Sequence, residues 1–164
     1  MKKIPLTQNK VALVDDDDFA LLSKYKWCAY QNKHAFYAYR RQYLPNGTSK
    51  TVHMHRVIMD APKGKCIDHI NGDGLDNRKE NLRICTNAEN MRNCRLSLRN
   101  TSGYKGVSQH KGTKMWHAYI IKDYKQYHLG CYVDREDAAR AYNEAAIKFH
   151  GEFANINQLP KDNK

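Results

Sequence analysis

No stretch of this 164-residue chain approaches the roughly eighteen consecutive apolar residues that a membrane-spanning helix needs. The opening Met1-Lys2-Lys3-Ile4-Pro5 has no apolar core of the kind a secretion signal carries, so an intracellular, cytoplasmic setting is expected. Cysteine is sparse, and no two cysteines stand as C-x-x-C, the spacing of a zinc knuckle. Cys28, Cys66, Cys85, Cys94 and Cys131 therefore read as reduced thiols. A zinc site drawing on Cys66, Cys85 and Cys94 stays open at this point. Internal repeats and low-complexity tracts are missing as well. Negative charge is outnumbered: 17 acidic side chains face 28 basic ones, a net charge of +11. Such an excess points toward a polyanion as partner.

The basic excess is not a tail added to a neutral body. Residues 1–52 carry 9 basic and 4 acidic side chains, 53–99 carry 9 and 6, and 100–164 carry 10 and 7. Every part of the chain is thus able to face a phosphate backbone.

Residues 10–52 read as strands: Lys10–Val14, Tyr25–Tyr30 and Ala35–Leu44, then a Pro45-Asn46-Gly47 turn and a returning strand Thr48–Met54. Asp15–Asp18 lack the D-x-D-x-D-G spacing of a calcium loop and suit the start of a short helix, where its dipole favours acids. His55–Met59 reads as a short helix, and Lys63–Asn81 as a long loop rich in Gly, Asn and Asp. Leu82–Cys85 is a short strand. Thr86-Asn87-Ala88-Glu89 is a capping box opening a helix expected to reach about Leu98. Beyond the Asn100–Gly103 boundary come strands Gly106–Gln109, Trp116–Lys122 and Gln126–Tyr132. A helix follows, capped by Asp134–Asp137 and stopped at Gly151, with Ala138, Ala141, Tyr142, Ala145 and Phe149 on one face.

Phosphodiester hydrolysis requires an activated water, neutralised charge at phosphorus and a stabilised leaving oxygen. One divalent cation with hard oxygen ligands, plus a histidine not bound to it, makes a minimal set. The segment Asp68-His69-Ile70-Asn71-Gly72, then Asp76-Asn77-Arg78, Glu80-Asn81-Leu82-Arg83 and Glu89-Asn90, offers one. Over about residues 53–98 it resembles the HNH endonucleases, most closely the homing enzymes of phages and group I introns. The resemblance implies a ββα-metal core, action in a bacterial or phage-infected cell, and one Mg2+ or Mn2+ held by Asp68 and Asn90. It implies His69 as general base, Asn81 as a brace, His55 and Asn93 as supporting residues, and Arg56 as either a phosphate clamp or a packing residue. Asparagine at position 90, in place of the histidine that ends the family's name, disfavours zinc as the catalytic ion.

Tyr104-Lys105-Gly106-Val107, Trp116-His117-Ala118, Leu129-Gly130-Cys131-Tyr132 and the run from Asp137 to Ala146 look like the DNA-binding domain of plant ethylene-response factors (AP-two/ERF type). That resemblance implies a sheet in the major groove, with Lys105, Ser108, His110, His117, Tyr119, Gln126 and His128 as contacts. Because these replace most of the plant arginines, the plant recognition sequence does not carry over.

The expected fold class is α+β: a strand-rich segment over 1–52, a nuclease core with linking helix over 53–99, a three-stranded antiparallel sheet packed on one helix over 100–158, and a tail over 159–164. The expected function is a site-specific, metal-dependent endonuclease on double-stranded DNA, acting as a monomer without an obligate protein partner or membrane and mainly nicking one strand. The alternative is a DNA-binding regulator with an inactive core. An RNA-binding role is disfavoured, since a sheet shaped for a major groove does not suit A-form RNA.

Overall fold

The computed structural model describes residues 1–32, 35–94, 96–97 and 99–160. The fold is α+β, and the chain divides after Asn90 into two compact units.

In the first unit, β1 (Lys2–Pro5) and β2 (Val11–Val14) form an antiparallel pair, followed by α1 (Asp16–Leu22). Three acids lie in the first turn of α1, where the dipole favours them. A second sheet has the order β3 (Cys28–Gln31), β4 (Phe36–Tyr43), β5 (Ser49–His53), all antiparallel. The helix α2 (Met54–Met59) follows directly. Ile4, Ala12, Val14, Leu22, Trp27, Ala38 and Met54 are buried together as the core of this unit. Full burial of a side chain such as Leu22 or Met54 contributes about 1.5–3 kcal/mol. The Trp27 indole N–H donates to the Leu22 carbonyl at 2.8 Å, so its polar edge is satisfied inside the core.

The stretch Lys63–Asn81 is not one long loop. It contains β6 (Cys66–His69) and a 3₁₀ turn (Lys79–Asn81), and β6 pairs antiparallel with β7 (Leu82–Cys85). A strand of four residues is too short for its alternation to stand out among flanking Gly, Asn and Asp. The Thr86–Glu89 capping box forms as the sequence suggests. Glu89 N–H donates to Thr86 Oγ1 at 3.3 Å, and Thr86 N–H donates back to Glu89 Oε2 at 2.7 Å. The helix it opens, α3 (Asn87–Arg92), ends earlier than expected, and Leu98 lies outside the described residues.

In the second unit, β8 (Val107–Gln109), β9 (Trp116–Lys122) and β10 (Lys125–Tyr132) form an antiparallel sheet with β9 in the middle. The long helix α4 (Arg135–His150) packs on it through Ala138, Ala139, Tyr142, Ala145 and Ala146. Ala118 and Ile120 meet that helix, as their alternation requires. Asp134 occupies the N-cap position, but its side chain makes no capping bond, which corrects the expected cap. The pairing of β10 with β9 slips between His128 and Gly130, a bulge that turns both His128 and Cys131 to the outer face. The C-terminal strap is locked by amides: Asn143 and Asn157 exchange two bonds at 2.7 and 2.9 Å, and Asn157 pairs with the backbone of Lys105 at 2.6 and 3.0 Å. Among the described residues no helix is long and apolar enough to cross a membrane.

Gly106 is where this second unit is least tolerant. Its φ is +69°, and a Cβ there would lie 2.1 Å from the Tyr142 ring and 2.5 Å from the Tyr119 carbonyl oxygen. Left-handed strain adds to a backbone clash, so Gly106→Ala is expected to lower stability by at least about 2 kcal/mol. Chemical denaturation against wild type measures this; an unchanged midpoint would refute the packing described.

Candidate active site

Two short strands and the loop between them build the site. Asp68 and His69 are the last residues of β6, both buried, and stand opposite Arg83 and Leu82 of β7. This register puts the Arg83 guanidinium on Asp68: Nε and NH2 donate to Oδ2 at 2.8 and 2.6 Å. Arg83 belongs to the Glu-Asn-Leu-Arg motif, yet its ion pair becomes visible only once the pairing of the strands is known.

The loop closes through side chains that imitate backbone. Asn81 accepts from the Asn71 N–H at 3.0 Å and donates from Nδ2 to the Asp76 carbonyl at 2.8 Å, while its own carbonyl takes the Ile70 N–H at 2.9 Å. Asp76 is buried and receives Arg78 Nε and NH2 at 2.8 and 2.7 Å and Asn71 Nδ2 at 3.0 Å. The Arg78 guanidinium holds the Asp76 carboxyl below the usual carboxylate range. The loop also leans on β2: Leu13 N–H donates to the Leu75 carbonyl at 2.9 Å, and Asn77 N–H to the Leu13 carbonyl at 2.8 Å.

Three groups surround the His69 ring. Asn77 Oδ1 lies 3.5 Å from Nε2. Tyr37, on β4, meets the ring edge-on with centroids 5.7 Å apart, and His55, on α2, does so at 5.2 Å. Burial lowers the pKa of His69, against the opposing pull of Asn77 and the nearby carboxylates, so the ring is neutral near pH 7. His55 is pushed further, to about 3, by burial first and then by repulsion from His69, His53 and Arg56. The ring is therefore uncharged near pH 7. Tyr37 falls in a segment read as strand, and Asn77 in the Asp76-Asn77-Arg78 motif with no role of its own. Nothing in their local sequence marks either one as a neighbour of His69.

Asn90 lies in α3, its N–H bonded to the Thr86 carbonyl at 3.0 Å. One carboxylate and one amide oxygen are hard donors of low charge. That set fits Mg2+ or Mn2+, which retain waters and take further oxygens from phosphate. Among the described residues no group of three or more His, Cys, Asp or Glu side chains is arranged to hold a metal, which is what a structural zinc asks for.

Two basic residues are engaged with backbone carbonyls. Arg56 donates to the carbonyls of Lys65, Ala61 and Pro62 at 2.9, 3.0 and 3.3 Å, so the guanidinium pins the 61–65 turn; of the two roles left open for it, the structure favours packing over a phosphate clamp. Lys105 Nζ donates to the carbonyls of Arg92 and Cys94, and burial lowers its pKa. That corrects the expected strand contact: the ammonium caps the end of α3 where carbonyls accumulate. Asn93 accepts from Asn155 Nδ2 through its carbonyl at 3.1 Å and its side chain at 3.2 Å, fastening the same turn.

The remaining expected contacts lie along the sheet of the second unit. Ser108, His110, Gln126 and His128 are exposed, and His117 and Tyr119 are half-buried on the central strand. His110 stacks on His117 at 4.9 Å, and His117 meets His128 at 5.4 Å, so three imidazoles form one patch.

The sequence profile of the HNH endonuclease family matches residues 52–92, which contain β6, the bracing loop, β7 and Asn90. Over 57% of its length the chain is 37% identical to Protein 3.8 of Escherichia phage T7, covering 76% of that protein. Over 90% of its length it is 27% identical to an uncharacterized HNH endonuclease of Acanthamoeba polyphaga mimivirus, covering 75% of that relative. Over 35% of its length the chain is 44% identical to APETALA2-like protein 2 of Oryza sativa, covering 13% of it. With the family's profile lying across the Asp68–His69 strand pair and a phage relative matched over three-quarters of its length, this chain belongs to the HNH endonucleases.

Proposed function

We propose that the protein is a site-specific, metal-dependent endonuclease that nicks double-stranded DNA, with residues 53–99 cutting and residues 100–158 acting as an ERF-type reader of the duplex. The observation that carries this reading is His69: a buried imidazole kept neutral at the end of a strand, next to a carboxylate and faced by an amide oxygen.

Each residue has a task that follows from its chemistry. Asn77 Oδ1 can only accept, so it selects the tautomer with hydrogen on Nε2 and directs proton uptake to Nδ1. Nδ1 of His69 then takes the proton of the attacking water. Asp68 and Asn90 hold the divalent ion, and Arg83 fixes the Asp68 carboxylate against β7. When bound, the ion neutralises charge on the phosphate and stabilises the leaving oxygen. Asn81 keeps the loop closed. On the sheet, Ser108, His110, His117, Tyr119, Gln126 and His128 face base edges. A three-stranded sheet fits the major groove, and Gln and His offer donors and acceptors there. One complete set of site residues serves one phosphate at a time, which favours a monomer that nicks.

His69→Ala is expected to lower the cleavage rate by about 10²–10⁴ while leaving DNA affinity nearly unchanged. Wild-type turnover in this variant would refute the assignment of base. Asp68→Ala and Asn90→Ala should lose activity with partial recovery at high Mn2+, and chelation should stop the wild type. On supercoiled plasmid the first product should be open circle; prompt linear product from a two-to-one complex would overturn the nicking monomer.

Removing residues 101 onward should weaken specific binding by about 1–3 kcal/mol for each base edge the sheet no longer reads. Footprinting of full-length and truncated protein on a cleaved site tests this. Unchanged site preference would give the second unit another role.

A further inference from the structure

The sheet β3–β4–β5 has two unlike faces. Strand alternation and register put Ala29, Ala38, Arg40 and Val52 on one of them. That face is the core side, where Ala29 and Ala38 are buried and Arg40 lies over the rings of Tyr25 and Trp27 at 4.0 and 5.7 Å. The other face carries Tyr30 opposite Tyr37, Tyr39 opposite His53, Arg41 opposite Thr51 and Tyr43 opposite Ser49. Tyr30 and Tyr43 are exposed by 51% and 78%, and Arg41 is exposed between Tyr39 and Tyr43. Of the four tyrosines on this face, Tyr30 and Tyr43 are exposed and Tyr37 and Tyr39 half-buried, so the face offers ring surface to a ligand.

This face runs without a break into the site. Tyr30 touches Tyr39 at 6.1 Å, Tyr37 touches His55 at 6.0 Å and His69 at 5.7 Å, and His53 stacks on His55 at 5.4 Å. From Tyr37 to Tyr43 the strand extends about 20 Å. A paired duplex hides its base faces and offers little to such rings. An unpaired strand presents them, and flat aromatic rings flanked by a cation hold successive bases while the cation meets a phosphate.

We infer that this tyrosine face is a stacking platform for unpaired bases of the strand that enters the active site. The preferred substrate is then DNA with a single-stranded arm beside a duplex, cut close to the junction. The inference rests on the nuclease reading for its substrate, but its binding half stands alone. Occupancy is committed to one ligand, single-stranded DNA, by the continuity of the face with His69 and by the cation at Arg41.

The test uses the full chain and fluorescence anisotropy in chelator, so that binding is read without cleavage. Three probes of shared sequence are compared: a blunt duplex, a duplex with a 5′ or 3′ thymine arm of about four nucleotides, and a fork with both arms. Wild type should bind an armed duplex more tightly than the blunt one. Tyr30→Ala with Tyr43→Ala, both exposed and so tolerated by the fold, should lose about five-fold to a hundred-fold per ring on the armed probe and less than about two-fold on the blunt one. Tyr43→Phe, which keeps the ring, should retain wild-type binding. Equal wild-type affinity for armed and blunt DNA overturns the platform, as does an equal loss on both probes in the alanine variant. Cleavage of plasmid with Mg2+ is scored separately. A protein that prefers arms but cuts no DNA refutes the nuclease reading and keeps the platform; one that nicks plasmid without preferring arms does the reverse.

Discussion

The buried carboxylate of Asp76 holds the site in shape. Between His69 and Leu82 the chain must reverse and return as a strand in register, and no regular structure supplies the bonds for that reversal. Asp76 supplies them, taking two guanidinium donors from Arg78 and one amide donor from Asn71, while its carbonyl takes Asn81. A buried ion pair contributes little net stability, since desolvation offsets its attraction, and Arg78 keeps 29% of its side chain in water. What it contributes is a single geometry. Removing one partner would leave the other's charge uncompensated among amides and loosen that geometry.

That loop is held from outside as well as from within. Leu13 bonds to both Leu75 and Asn77, and Asp15 accepts the Lys79 N–H at 2.8 Å. Asp18 forms an ion pair with the Lys79 ammonium at 3.0 Å. Phe36 and Tyr37 press on Gly74 so closely that a Cβ there would lie 2.4 Å from the Phe36 carbonyl oxygen. Residues 1–52 therefore brace the loop through Leu13, Asp15 and Asp18 and meet the His69 ring through Tyr37. The acidic run Asp15–Asp18 acts in the same way: it favours the start of α1 and also meets Lys79 in the 3₁₀ turn that ends the loop.

What the sequence revealed was what is local or periodic. The Thr86–Glu89 box spans four residues and closes its own bonds, and the alanine face of α4 repeats with the helical period, so both were readable. The family was legible because the spacing of Asp68, His69, Asn81 and Asn90 is a pattern, and the family's profile spans all four. The contacts of Tyr37 and Arg83 were not. Tyr37 reaches His69 from a distant strand, and Arg83 meets Asp68 only through a strand register that four-residue strands do not announce. The bulge at His128–Gly130 was equally silent, because one extra residue in a strand leaves hydropathy almost unchanged.

Net charge suggested a polyanion partner, but the positions of the cations decide which surface can meet it. Arg56, Lys105 and Arg40 add to that charge, yet the first two end on backbone carbonyls and the third lies over the exposed Tyr25 ring and the buried Trp27. Each has a long apolar stem over partly buried surface and a head at a point where acceptors or ring faces are concentrated. Such a cation is worth more to the fold than to a mobile phosphate in water. The surfaces left for nucleic acid are therefore less cationic than composition implies and richer in rings: imidazoles on the second unit's sheet, tyrosines on the first unit's. Rings carry little long-range attraction and much contact energy. In the proposed function, the distributed positive charge would supply attraction to DNA and the ring-bearing sheets the contact energy.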